Sequence, residues 1–566
     1  MFFPPHQPSL TTSYVNGTSS TPLLPLTMSQ CLDATVQRWP DREALVLQQD
    51  GIRKTFAQFQ RDVDQVAAGL LALGLEKGDR LGIWGPNIYE WILFQFATAK
   101  AGIIMVSLNP AYQLNEVEFT LQKVTIQCKA VLCPTSFKTQ NYCEMLREIC
   151  PEISTAAGGL IQSSRLPDLR MVIVTDSRQP GMLHIDDVLQ AGESRHVKEL
   201  QELQSKLTAG DPINIQFTSG TTGKPKGATL SHLNIVNNAY FVGLRMGFDK
   251  RVRVCLSVPM YHCFGSVLGG LCMAVHGVTL VFPSPGFDGR RSLEAIQNEK
   301  CTVVYGTPTM FTDMLGQQEA NRYDLSSLEA GVMAGSPCPP AIMRKIKTVM
   351  KFEEMTIGYG TTENSPVTFL GFPNDNEELK VNTVGCIMPH TEAKVVDPAT
   401  GETVPLGASG ELLIRGPCVM LGYWDEPQKT RDVISQDLWY STGDTASLND
   451  LGYCRIEGRM KDMIIRGGEN IYPAEIEEFL YKHPKVQEVQ VVGVKDERLG
   501  EQVCACIRLK DGQTSSTEEI RAFCKGQISH FKIPQYVMFV DSYPLTVSGK
   551  IKKNELKEAM EKKLGL

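Results

Sequence analysis

The ten residues from Thr218 to Gly227 read TSGTTGKPKG, in full Thr218, Ser219, Gly220, Thr221, Thr222, Gly223, Lys224, Pro225, Lys226 and Gly227. Backbone N–H groups, hydroxyls and two lysines gathered in one loop solvate a polyphosphate. The spacing is not that of a Walker A loop. Gly220 and Gly223 stand too close for G-x-x-x-x-G-K-[ST], and Pro225 follows the first lysine where a Ser or Thr is required. A different class of nucleotide enzyme is implied. The preceding INIQF, Ile213 to Phe217, alternates apolar and polar as a half-buried strand does, so the loop is expected to hang from a strand end, where ligands of α/β sheets collect. A flexible linker shares the composition but has no need of two spaced lysines.

Five further segments carry residues of chemical use: PMYHCFG (Pro259 to Gly265), YGTTE (Tyr359, Gly360, Thr361, Thr362, Glu363), YSTGD (Tyr440 to Asp444), GRMKDMIIRGGENIYP (Gly458 to Pro473) and PLTVSGKIKK (Pro544 to Lys553). In this order and spacing, together with the first loop, they resemble the adenylate-forming superfamily of acyl-CoA synthetases, luciferases and non-ribosomal peptide adenylation domains. The medium-chain acyl-CoA synthetases are the most similar branch. Any one motif is weak, whereas six in series, covering the chain from about Gln30 onward, are specific.

The resemblance implies an α/β fold with a large layered N-terminal adenylation domain (28–460) and a small mobile α+β C-terminal domain (461–566). It also implies ATP and coenzyme A as co-substrates of a fatty acid, with Mg²⁺ at the phosphates. Lys550 resembles the lysine that bridges the acid and the α-phosphate; read alone, it belongs to a basic tail with Lys552, Lys553 and Lys557. Glu363 resembles the Mg²⁺ ligand, a role that suits a hard oxygen donor, and is otherwise a capping carboxylate. Asp444 resembles the acceptor for the ribose diol, although an Asp after Gly is also an ordinary turn residue. Gly335, Ser336 and Pro337 match the adenine segment. Arg459 matches the arginine beside ribose and phosphate, and Lys461 the hinge; a surface charge cluster is the alternative. Gly467 and Gly468 match the turn along the CoA arm, where a backbone approaches a ligand closely. His262 follows Tyr261 where the family usually has Phe. Its motif puts it near the acyl carboxylate, whereas a lone histidine in an apolar segment is more often a core residue.

Composition agrees with this reading. A chain of 566 residues is expected to form more than one packed unit, and a net charge of -7 argues against a nucleic-acid partner. The sixteen cysteines contain no C-x-x-C pair and the nine histidines no H-E-x-x-H spacing, which points to neither a zinc site nor a disulfide framework. Val254 to Phe287 holds no Asp, Glu, Lys or Arg. Glycines, Pro259, His262 and His276 interrupt it, so a buried helix plus strand is expected and no integral membrane segment. That stretch suits an alkyl tail, because an amino-acid substrate calls for a buried carboxylate to meet its ammonium. No G-x-S-x-G elbow is present, which disfavours a serine hydrolase. A non-catalytic nucleotide-binding scaffold and adenylation of an aryl or branched acid remain as alternatives. The chain ends too soon after Lys550 for a carrier domain, and oligomeric state is left open.

The elements that position these residues follow from periodicity. Val63 to Leu75 reads as a helix, DRLGIWG as a strand, and Trp91 to Asn109 as a helix running into a strand, the alternation of a layered α/β fold. After Gly458 a short helix (Ala474 to Tyr481), strands near Val489 to Val494, Val503 to Leu509 and Val537 to Val540, and a helix from Thr517 to Ile528 suffice for a small α+β domain. The Pro/Ser/Thr-rich opening, 1–27, reads as a disordered arm. The first Lys or Arg of the chain is Arg38, so no transit peptide is evident. A mitochondrial matrix location follows from the resemblance alone, with the cytoplasm as the alternative.

Overall fold

Strands Arg80–Trp84, Ile104–Leu108, Cys128–Cys133 and Met171–Val174 are nearly unbroken apolar runs, the signature of parallel strands covered on both faces. A computed structural model, which describes residues 9–123, 128–219, 225–335, 338, 340–459, 463–471, 473–544 and 553–566, places them side by side in an eight-stranded sheet. Leu81 sits beside Met105 and Ala130, and Val131 beside Val172. One edge of that sheet is the antiparallel pair Pro212–Ser219 and Pro225–Ser231, followed by Gly422–Tyr423. The glycine-rich loop therefore joins two paired strands.

A nine-stranded sheet packs with it. Its centre is parallel: Arg253–Leu256, Val303–Gly306, Ala330–Met333 and Glu354–Gly360 lie in that order. Helices fill the space between the two sheets. Helix Phe56–Ala72 starts where Thr55 accepts from the Gln58 N–H and Gln58 answers at the Thr55 N–H, a closed capping box. Phe56, Phe59, Val63, Val66 and Leu70 then repeat at helical spacing and are fully buried. Each contributes about 1.5–3 kcal/mol of burial.

A five-stranded antiparallel sheet carries Tyr440–Leu448 and Cys454–Arg459. After residue 463 the strands form a sheet of their own, with Gly500–Leu509 at its centre, flanked by Val486–Asp496, Ile464–Arg466 and Tyr536–Phe539. Helices Pro473–Leu480 and Thr517–Cys524 cover one face, through Ile476, Leu480 and Ile520; helix Lys553–Leu564 covers the other, through Leu556 and Met560. A large α/β N-terminal part is thus followed by a small α+β domain.

Four expectations change in detail. The opening segment is not a disordered arm from residue 9 on: Tyr14–Asn16 is a strand paired with Glu392–Lys394, and Ser13 and Val15 are buried. Its Ser/Thr/Pro content obscures the anchors Val15, Leu24 and Leu26. The INIQF strand is covered on both faces, because Asn214 and Gln216 are buried along with the isoleucines. Gln216 satisfies itself inside, accepting from the Cys263 thiol and donating to Ser266 Oγ. The helix from Thr517 stops at Cys524, where Lys525 turns extended and Gly526 takes φ 76°, a left-handed step open to glycine. The uncharged stretch from Val254 contributes a buried helical run, 263–276, and the strand Thr279–Phe282, as expected, and also most of the strand Arg253–Leu256 before them. No helix among the described residues is long and apolar enough to cross a membrane.

Candidate active site

The carboxyl ends of the central parallel strands converge, the place where open α/β sheets bind ligands. After Arg253–Leu256 comes His262; after Val303–Gly306, Thr307; after Ala330–Met333, Gly335; and Glu354–Gly360 runs into Thr361, Thr362 and Glu363. At Gly360 the strand runs so close to the returning chain that any Cβ there would fall 1.7 Å from the Pro366 carbonyl oxygen. Only glycine fits.

Glu363 is the hub. Its carboxylate is buried, and its Oε1 accepts from Thr218 Oγ1 at 3.2 Å and from the Tyr423 hydroxyl at 2.9 Å. Lys226 Nζ sits 4.4 Å from the centre of the Tyr423 ring. Three neighbouring strands and the turn after Glu354–Gly360 thus bring a carboxylate, a threonine hydroxyl, a phenol and an ammonium together beside the loop. The Glu363 carboxylate is a hard oxygen donor, the kind that suits Mg²⁺ held by one carboxylate and by substrate phosphates, and the Lys226 ammonium adds positive charge that suits the phosphates themselves. Among the described residues no group of three or more His, Cys, Asp or Glu could hold a metal by itself.

Asp444 is not a turn residue. It lies inside strand Tyr440–Leu448, almost fully buried, in register with Arg459 of the next strand. Its Oδ2 accepts from the Tyr359 hydroxyl at 2.5 Å. The pair ties YGTTE to YSTGD and presents a fixed carboxylate, competent to accept from a diol. Gly335, at φ 93°, approaches Thr307 so that a Cβ would lie 3.4 Å from its Cγ2.

His262 borders the uncharged wall. Its ring lies 4.1 Å from that of Tyr261, and its Nε2 is buried with no hydrogen-bond partner among the described residues. Burial holds its pKa below the ordinary imidazole value, although the Glu469 carboxylate opposes the shift. The ring is therefore neutral at pH 7. A buried polar atom left unmatched costs about 1–3 kcal/mol, which a bound oxygen would relieve. Tyr261, in place of the usual Phe, donates to Glu469 Oε1 at 2.9 Å, so the departure from the motif adds a bond to the small domain. Burial, and then Glu469, push the Tyr261 phenol well above its ordinary pKa.

The small domain reaches this region through the hairpin of Ile464–Arg466 and Glu469–Ile471, whose turn holds Gly467 at φ 55° and Gly468 at φ 86°. A Cβ on Gly468 would lie 3.1 Å from Thr307 Cγ2. Thr307, which accepts from the Met310 N–H at the start of helix Pro308–Asn321, therefore faces both Gly335 and Gly468.

Of the residues expected from sequence, the structure brings together Thr218, Lys226 and Glu363, and Tyr359 with Asp444. Ser219 and Pro225 face each other at the loop ends, and Gly335 and Gly468 both border Thr307. Gly220, Thr221, Thr222, Gly223, Lys224, Ser336, Pro337, Lys461 and Lys550 lie outside the described residues. Tyr423 and Thr307 were missed. Thr307 carries a sequence signal, a Thr-Pro helix start directly after an apolar strand; Tyr423 carries none.

Comparison with known proteins agrees. The AMP-binding enzyme family matches residues 32–424, and the AMP-binding enzyme C-terminal domain residues 475–550. The chain is 67% identical over 565 residues to the protein named medium-chain acyl-CoA ligase ACSF2, mitochondrial, of Danio rerio, covering 100% of this chain and 93% of that one. It is 56% identical to the protein of the same name in Homo sapiens, over 98% of this chain and 91% of the other. Among solved structures, the amide bond synthetase McbA of Marinactinospora thermotolerans superposes with a TM-score of 0.78 at 25% identity, covering 94% of this chain and 99% of that one. With a family match over most of its length and relatives this similar from end to end, the chain belongs to the AMP-binding enzyme family.

Proposed function

We propose that this protein joins a medium-chain fatty acid to coenzyme A, using ATP and releasing AMP and pyrophosphate through an acyl-adenylate. The observation that carries the substrate class is the largely buried, uncharged stretch from Val254 to Phe287, which contains the neutral His262. An alkyl tail lies against such a wall without leaving a charge unmatched. The names of the relatives support a medium chain length.

In the first step a carboxylate oxygen of the acid attacks the α-phosphorus of ATP and pyrophosphate leaves. Thr218 to Lys226 would cradle the phosphates, and Glu363, steadied by Thr218 and Tyr423, would hold Mg²⁺, which would supply charge neutralisation there. Lys550 bridges acid and α-phosphate, Asp444 and Arg459 hold the ribose, and Gly335 with Ser336 borders the adenine. In the second step the CoA thiol, losing its proton, attacks the acyl carbon, and AMP leaves with the electron pair. Gly467 and Gly468 line the CoA arm. Residues 28–460 form the adenylation domain and 461–566 the small domain, with Lys461 as pivot; the two family matches support that division. The compartment we propose is the mitochondrial matrix, to be checked by fractionation against matrix markers.

A panel of straight-chain acids from acetate to palmitate tests the reading, with pyrophosphate exchange and acyl-CoA formation measured side by side. Highest kcat/KM among acids of about eight to twelve carbons is expected. No exchange with any of them would sink it. Within the same assay Asp444→Ala is expected to weaken ATP binding by about 1–3 kcal/mol, the size of lost hydrogen bonds to a charged group. Exchange at saturating ATP should be largely kept. Unchanged ATP affinity by calorimetry would remove Asp444 from the site.

A further inference from the structure

The two domains share a buried ionic contact that the proposed chemistry leaves unused. Helix Leu114–Lys123 of the large domain presents Glu116, whose side chain is 10% exposed, to the small domain. Its Oε1 accepts from Lys532 Nζ at 2.5 Å, and its Oε2 from Ser529 Oγ at 2.6 Å and from the Gln113 N–H at 2.8 Å. Lys532, 5% exposed, donates also to Glu475 Oε1 of its own domain at 2.6 Å. Burial draws the Lys532 ammonium down, but Glu116 and then Glu475 outweigh it and hold its pKa above the ordinary lysine value. The contact is a charged one, dry on both sides, and Ala111 packs beside it on the small domain's core.

The arrangement is asymmetric. Lys532 keeps Glu475 however the small domain sits, whereas Glu116 has its cationic partner only in this orientation. In this orientation the Gly467–Gly468 turn is against Thr307. On the two-step reading, with Lys461 as pivot, the small domain turns between the two steps, and turning breaks the bonds of Glu116 to Lys532 and Ser529. Glu116 then passes to water while Lys532 remains paired, so neither orientation strands a buried charge.

We propose that Glu116 is a positioning residue for thioester formation: by accepting from Lys532 and Ser529 it holds the small domain with the Gly467–Gly468 turn at the active site, and it is released during adenylation. The proposal rests on the two-step reading above. The parent protein must show both half-reactions, and failure there would fall on that reading and not on Glu116.

The test compares Glu116→Gln, Glu116→Asp and Ser529→Ala in the full chain, measuring pyrophosphate exchange, conversion of preformed acyl-adenylate plus CoA to acyl-CoA, and melting temperature. Glu116→Gln keeps the shape but removes the charge. It is expected to slow the thioester step about tenfold or more while exchange stays within about twofold or rises. Glu116→Asp should recover part of the loss, which a merely structural role would not produce. An unchanged thioester step, or parallel loss of both steps with a lowered melting temperature, overturns the proposal. Should Glu116→Gln fail to fold, Ser529→Ala decides on the same criteria, with an expected slowing of the thioester step of about threefold.

Discussion

Gly468→Leu is expected to leave pyrophosphate exchange within about threefold of the parent and to lower acyl-CoA formation by on the order of a hundredfold or more. Gly468 takes φ 86°, a left-handed conformation that costs a residue with a Cβ about 1–2 kcal/mol. Its would-be Cβ already meets Thr307 at 3.1 Å, before the rest of a leucine is added. The hairpin turn then cannot seat against the large domain. An orientation in which the turn is withdrawn suffers no such clash, so the first step survives. The competing outcome is that the strained turn weakens the small domain itself. Both half-reactions would then fall together with the melting temperature, and the seating argument would fail.

Glu363→Gln is expected to slow adenylation by on the order of a hundredfold to a thousandfold at saturating ATP, the usual size of losing one preorganised charged group from a site. The variant keeps the volume and an oxygen that can accept from Thr218 or Tyr423, so the fold should hold. It removes the negative charge that Mg²⁺ requires. Raising Mg²⁺ should recover part of the rate, whereas transfer from preformed acyl-adenylate to CoA should change little. A rate indifferent to Mg²⁺ would return Glu363 to the role of a structural carboxylate.

The site was legible in sequence where chemistry and neighbours lie in one short segment. TSGTTGKPKG, YGTTE and YSTGD each announce themselves by composition and turn residues, and their order named a superfamily. What joins them was not legible. Glu363 meets Thr218 from 145 residues away and Tyr423 from 60, and Glu116 meets Lys532 across 416. No local pattern encodes such pairings, because they depend on which strand ends the sheets bring together. Buried polar residues misled for a related reason. The alternation in INIQF is that of a strand with one wet face, yet Asn214 and Gln216 are covered, and the hydrogen bonds that make this tolerable for Gln216 come from Cys263 and Ser266 of a distant helical run. From residue 9 to 27 the expected disordered arm failed because three strand residues need only one partner edge, not a pattern of their own.

That arm is also a seam. Tyr14–Asn16 closes one margin of the five-stranded sheet whose strand Tyr440–Leu448 carries Asp444 and whose opposite edge strand carries Arg459. Ser13 Oγ donates to the Pro405 carbonyl and Tyr14 to Glu392 Oε1. Cutting the chain between residues 17 and 28 would bare strand Glu392–Val396 as an unpaired edge, a template for sticking to other chains. Leu10, whose N–H donates to the Asp450 carbonyl and whose side chain packs on the core of the same sheet, marks where the attachment begins, so trimming beyond it is expected to favour aggregation over folding.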